Sequence, residues 1–229
     1  MSTDQTLLLL DLDGVVVFEA EPPHLAKAEI LLLHEVLSEV LNELKAPVVV
    51  CTHRSRAEAR RILEAARLDS KVISHLVAAE DLFQAGLKYH GVWKVAVKGL
   101  RKSLILPLVE ERFGIPRARM ALIDDRLDNL QDLLANGIGL ALHAPSLMDN
   151  GDSLVSFDVR EAVEAFKAWG GAERRETVVE LTAQTYPVEE WRKTGLNTRK
   201  QGRHLFNLMR RVGRATRTRL FEKRPNVAA

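Results

Sequence analysis

The sequence predicts an α/β protein: a Rossmann-like, doubly wound parallel sheet over residues 1–150, followed by a helical, basic extension over residues 151–229. Three observations carry this. The apolar runs Leu7–Leu10, Val48–Cys51 and Met120–Ile123 read as strands buried on both faces, as parallel strands are. Stretches with apolar residues at helical spacing lie between them, and strands alternating with helices build a parallel sheet. Each run also ends in polar residues (Asp11 and Asp13, Thr52, Asp124 and Asp125), and open α/β sheets bind ligands beyond the carboxyl ends of their strands.

The elements follow in order. After strand Leu7–Leu10 a turn and flap run from Gly14 to about Pro23. Ile30, Leu33, Leu37, Leu41 and Leu44 share a helical stripe, which predicts a helix from roughly His24 to Leu44. Pro47 precedes strand Val48–Cys51, and Ser55 is the N-cap expected of a helix over Arg56–Arg67. A short strand lies at Lys71–Ile73 or Leu76–Ala78, then a helix from Asp81 to Tyr89. The β-branched residues of Val92–Val97 predict another short strand. Ser103 reads as the cap of a helix over Leu104–Phe113, which Gly114 closes and Pro116 follows. Strand Met120–Ile123, a helix from Leu127 to Asn136 stopped by Gly137, and strand Ile138–Leu142 complete the core. Beyond Asn150-Gly151-Asp152, helices are expected over Asp158–Trp169, Arg174–Tyr186 and Thr198–Phe221, with Gly170-Gly171 as the hinge.

The chain has 229 residues, 46% apolar and 28% charged, an ordinary folded composition. No basic region precedes the first apolar run, and Asp11 and Asp13 interrupt it, so neither a signal peptide nor a membrane partner is expected. The lone Cys51 leaves no intrachain disulfide, which suits a reducing, cytoplasmic setting. The net charge of +2 hides a split: residues 191–224 carry twelve Lys/Arg and one acid, leaving 21 basic and 30 acidic residues in 1–190.

The polar residues at the strand ends suggest chemistry. Burying ionised carboxylates is costly without a metal or partner, so Asp11 and Asp13 after a buried strand are poor packing residues. Asp124 and Asp125, adjacent after another buried strand, would repel each other. A Mg²⁺ ion, which prefers oxygen ligands, resolves that. Thr52 can either donate to a phosphoryl oxygen or cap its own turn. Lys102, just before the Ser103 helix, or else Lys98, can offset clustered carboxylates. The seven histidines show no metal-ligand spacing, and neither GxxxxGK[ST] nor GxGxxG occurs, which argues against kinases and dinucleotide enzymes. Cys51 has Ala57, not Arg, six residues on and reads as a small buried hydrophobe.

Asp-Leu-Asp-Gly after a strand, an apolar strand ending in Thr, a Lys before a helix, and strand–Asp–Asp with Asn129 four residues on occur here in that order. Over about residues 7–143 this resembles the haloacid dehalogenase-like (HAD) hydrolase superfamily. The resemblance implies Asp11 as nucleophile and Asp13 as general acid/base. It further implies Mg²⁺ held by Asp11, the Asp13 backbone carbonyl and Asp125, with Asp124 close by, and a phosphate cradle of Thr52 and Lys102. Asn129 would orient the metal-side acids, while Gly14, His53 and Arg54 are further candidates for contact with phosphate or substrate. Members that cleave carbon–halogen bonds lack the second Asp, and the transport ATPases carry Thr there, so phosphatase or phosphotransferase chemistry is implied. Only about 34 residues separate Gly14 from Val48, and Thr52 to Lys102 is also short, so no large cap is expected.

The resulting expectation is a Mg²⁺-dependent phosphohydrolase that acts through an aspartyl-phosphate on a phosphomonoester. An open site suits a macromolecular or nucleotide substrate. The alternative is a HAD-fold protein with little chemistry that binds nucleic acid or a protein partner through its basic C-terminal helix. The near absence of interleaved aromatics argues against nucleic acid and for an extension that packs on the core as a lid, or on a second subunit as the arm of a homodimer, with its basic face solvated beside the acidic body.

Overall fold

The computed structural model describes residues 5–17, 30–31, 36–149, 153–187 and 192–194, all within one compact unit; the expected helix over Thr198–Phe221 lies outside the described residues. Its strands are β1 (Leu7–Leu10), β2 (Ile30–Leu31), β3 (Val48–Cys51), β4 (His75–Val77), β5 (Met120–Asp124), β6 (Leu140–His143), β7 (Leu147–Asp149), β8 (Ser153–Phe157), β9 (Val179–Glu180), β10 (Ala183–Pro187) and β11 (Arg192–Thr194). Its helices are α1 (Leu37–Asn42), α2 (Arg56–Ala65), α3 (Ala79–Ala85), α4 (Gly91–Lys98), α5 (Leu106–Phe113), α6 (Leu127–Ala135) and α7 (Val159–Trp169).

The predicted parallel sheet is present, with six strands in the order β4-β3-β1-β5-β6-β9. Every residue of β1, β3 and β5 is buried, as their unbroken apolar character requires. Because β1 lies between β3 and β5, the ends of these three strands open side by side. Between Thr52 and Lys102 the chain forms α2, β4, α3 and α4, with no inserted domain. A separate three-stranded antiparallel sheet, β10-β8-β7, follows β6.

Four expectations are corrected. The helix over His24–Leu44 is confined, among the described residues, to α1; Ile30–Leu31 instead pairs antiparallel with β11. A short apolar run fits either element, and here a distant strand supplies the hydrogen bonds. Val92–Val97 is helical within α4, not a strand. Val92, Trp93 and Val97 are 60%, 82% and 64% exposed, so no sheet among the described residues receives them, and a helix closes its own backbone hydrogen bonds. Arg174–Tyr186 contains β9 and β10 in place of a helix: β9 joins the main sheet beside β6, and β10 pairs with β8. Its β-branched Thr177, Val178, Val179, Thr182 and Thr185 suit those sheet partners. Finally, Ser103 caps nothing; it is buried in a 3-10 turn, Lys102–Ile105, and α5 begins only at Leu106 with Pro107 in its first turn.

The Ser55 cap is present, and Asp158 is a cap that the sequence reading places inside the helix. Ser55 and Glu58 form a reciprocal capping box on α2, and the Asp158 side chain accepts from Arg160 N on α7.

Candidate active site

Three adjacent strand ends build the site. The Asp11 N–H donates to Ile123 O at 2.9 Å, so the pairing of β1 with β5 extends to Asp11 itself. Thr52 follows β3, fully buried, with its N–H donated to Val77 O at 3.0 Å. Asp124 is the last residue of β5, and Asp125 follows it.

Lys102 joins these ends. Its 3-10 turn directs the side chain inward, where only 1% of the residue is exposed. Nζ donates to Asp11 Oδ1 at 2.7 Å and to Asp124 Oδ2 at 2.6 Å. Of the two lysines considered, Lys102 is the one placed between the carboxylates; Lys98 is the last residue of α4. Burial pushes the Asp11 carboxyl well above the ordinary range; Lys102 opposes this, and Asp124 and Asp13 add to it. Burial alone would depress the Lys102 ammonium, but Asp11 and Asp124 outweigh it and hold its pKa above the ordinary lysine range. Asp124 has further donors: Arg126 N at 2.9 Å and Asn129 Nδ2 at 3.1 and 3.2 Å. Asn129 thus sits where a residue orienting the acids is expected, in the first turn of α6.

Asp11, Asp124 and Asp125 each offer a carboxylate oxygen, and these three atoms lie within 4.8 Å of one another. An all-oxygen, partly buried donor set matches the preference of Mg²⁺. Gly14 borders this cluster. It has φ +72°, and a Cβ there would fall 2.1 Å from Asp125 Oδ2, so only glycine lets the chain pass so near the carboxylate.

Asp13 faces Arg54. Arg54 Nε donates to both Asp13 oxygens at 2.8 Å, and Nη2 donates to Oδ1 at 2.5 Å. Such a fork is a geometrically specific, charge-assisted contact. The Arg54 N–H donates to Thr52 Oγ1 at 3.1 Å, so Thr52 caps its own turn at the end of β3. His53 turns toward Leu100, whose carbonyl oxygen is 2.7 Å from Nε2. Beside the carboxylates, a pocket of about 360 Å³ is lined by His53, Arg101, Arg126, Asp128, Asn129 and Asp132. Cys51 is buried, and that burial pushes its thiol up to about 12, too high to furnish a thiolate nucleophile.

Sequence reasoning missed two features here. The Asp13–Arg54 fork joins residues 41 positions apart, and no motif spacing signals it. His143 carries no motif either, yet its ring reaches the Asp125 backbone; its place at the end of the strand beside β5 is the only signal.

No family model matches the chain, and no curated protein matches it. Solved structures do. A HAD-like protein of Mesorhizobium loti is 22% identical, aligned over 64% of this chain and 77% of its own, with a TM-score of 0.42. The 3-deoxy-D-manno-octulosonate 8-phosphate phosphatase of Moraxella catarrhalis, solved with magnesium and phosphate ions, is 18% identical over 61% and 68%, with a TM-score of 0.38. A HAD-superfamily hydrolase of subfamily IA from Geobacter sulfurreducens is 16% identical over 61% and 89%, with a TM-score of 0.43. Among the described residues no helix is long and apolar enough to cross a membrane.

Proposed function

We propose that this chain is a Mg²⁺-dependent HAD-type phosphatase that hydrolyses a phosphomonoester through a phosphorylated Asp11. One observation carries the reading: a buried ammonium, Lys102 Nζ, bridges Asp11 and Asp124, beside a third carboxylate, Asp125. Structural ion pairs rarely gather three acids and a lysine at the ends of neighbouring strands, because their desolvation costs several kcal/mol per ion, of order 20 in the idealised limit. A site that handles a phosphoryl dianion needs that grouping.

Asp11 Oδ attacks phosphorus and forms an acyl phosphate as the P–O bond to the leaving group breaks. Lys102 holds Asp11 in place and compensates the charge gathering there. Asp13, oriented by Arg54, delivers a proton to the leaving oxygen and then accepts one from the water that hydrolyses the acyl phosphate. To do so it must turn one oxygen out of the Arg54 fork. Thr52, with its hydroxyl at the end of β3, contacts the phosphoryl oxygens. Asp11, Asp124 and Asp125 would hold Mg²⁺, which supplies shielding of negative charge between nucleophile and phosphoryl group.

The test is hydrolysis of a generic aryl phosphate by wild type and Asp11→Asn, with and without Mg²⁺. Metal-dependent turnover that falls by about 10³-fold or more in the variant supports the reading. Turnover that persists in Asp11→Asn, or in EDTA, overturns it.

A further inference from the structure

We propose that His143, braced by Glu180, is a positioning residue that aims the Asp125 carboxylate at the divalent cation; this rests on the metal site proposed above. The two residues belong to no motif; His143 lies on β6, beside β5, and Glu180 on β9, the next strand outward. Asp124, His143 and Glu180 form one row across three neighbouring strands, since β5 pairs Asp124 with His143 and β6 pairs His143 with Glu180.

The ring spans the gap to Asp125. His143 Nε2 lies 3.1 Å from the Asp125 backbone oxygen, and Nδ1 is hydrogen-bonded to Glu180 Oε2. Both partners present acceptor oxygens to the ring edge; donation from Nε2 ties the ring to the Asp125 carbonyl, and the contact with Glu180 on the opposite edge fixes the ring plane that meets Asp125. A hydrogen bond to the Asp125 carbonyl restrains rotation of the peptide that follows the residue, and with it the direction of its Cα–Cβ bond. That direction has little tolerance. On its other side the Asp125 side chain lies against Gly14, where even a methyl group would stand 2.1 Å from Oδ2. A small rotation of the peptide would drive the carboxylate into the Gly14 backbone or withdraw it from the oxygens of Asp11 and Asp124.

Asp124 is fixed without this help. Its backbone oxygen accepts from Ala144 N at 3.0 Å, and its carboxylate is held by Lys102, Arg126 and Asn129. Asp125 lies one residue past the end of the strand, and His143 reaches it there. The brace comes from β9, so a segment beyond the last sequence motif contributes to the metal centre. Outer-shell partners of this kind typically carry about 10- to 100-fold in metal affinity.

The experiment is calorimetric titration of the full chain with Mg²⁺, paired with urea melts in EDTA. His143→Ala is expected to bind Mg²⁺ about 10-fold or more weakly. His143→Gln, which keeps a donor near the Nε2 position, recovers most of that loss, and Glu180→Ala loses about 10-fold. Glu180 is a fold-neutral second probe, because its side chain is 65% exposed. Asp125→Asn separates the two readings. If Asp125→Asn abolishes Mg²⁺ binding while His143→Ala and Glu180→Ala bind within twofold of wild type, the positioning role is overturned and the metal site stands. If the two variants lose stability in EDTA but keep their Mg²⁺ affinity, the pair is structural only and the proposal fails. If wild type binds no Mg²⁺, the metal reading falls and this inference falls with it.

Discussion

Gly14 and Asp125 lie so close that the first atom of any side chain at Gly14 would fall 2.1 Å from Asp125 Oδ2. The two residues come from different strand ends, one just past β1 and the other just past β5, and their contact closes the acidic cluster on one side. The φ of +72° at Gly14 adds a second restriction, since L-residues avoid that conformation.

Gly14→Ala therefore carries two penalties. The backbone strain alone costs about 1–2 kcal/mol, and relieving the overlap displaces Asp125. We expect a folded protein whose urea midpoint falls modestly and whose Mg²⁺-dependent turnover falls by about 100-fold, a loss typical of misplaced catalytic groups. Wild-type turnover in Gly14→Ala would show that Asp125 tolerates displacement.

Lys102→Met replaces the buried ammonium with an apolar chain of similar length. Asp11 and Asp124 would then face each other without the cation that bridges them at 2.7 and 2.6 Å. Breaking a buried ion pair by removing one partner costs about 3–5 kcal/mol. That loss should appear in urea melts in EDTA, and added Mg²⁺ should restore part of it by serving the same carboxylates. A variant as stable as wild type in EDTA would mean that the two acids do not carry charge together.

His53 gives a pH signature. Burial, and then the Lys102 ammonium, hold its pKa below the ordinary 6.5, against the hydrogen bond to Leu100 and the pull of Asp124. As pH falls through about 6.5 the unfolded chain binds a proton that the folded chain still refuses. The contribution is therefore fully present above 6.5 and is lost as pH falls toward the folded value. His75 is depressed in the same direction, by burial and Arg112, so wild type alone does not isolate the effect. Urea midpoints of wild type and His53→Gln measured between pH 7.5 and 5 should converge as pH falls. Parallel curves would remove His53 as a source of acid sensitivity.

Much of the site was legible in the chain because it lies where local rules are strong. Buried strands must be apolar, so carboxylates at the ends of such strands stand out, and Asp11, Thr52, Asp124 and Asn129 are all buried where those rules put them. Lys102 is legible as a lysine before a helix, but the helix begins at Leu106 and not at a Ser103 cap. The 3-10 turn Lys102–Ile105 sends the side chain inward. Strand-like sequence such as Val92–Val97 misleads, because β-propensity describes fitness for a sheet surface and none among the described residues receives this segment.

The order of residues along the chain is enough to dictate the alternation of buried strands and helices, hence the parallel sheet and the acids at its carboxyl edge. Apolar runs and caps are properties of neighbouring residues and need no knowledge of the remainder of the chain. Which side chains meet emerges from the folded chain alone: Lys102 between Asp11 and Asp124, Arg54 on Asp13, and His143 between Asp125 and Glu180. The folded chain also decides that β9, 36 residues after β6 ends, is a strand of the main sheet, since a two-residue strand has no identity apart from its partner. These contacts depend on strand order and register, which arise from the packing of the whole sheet, so no local pattern encodes them.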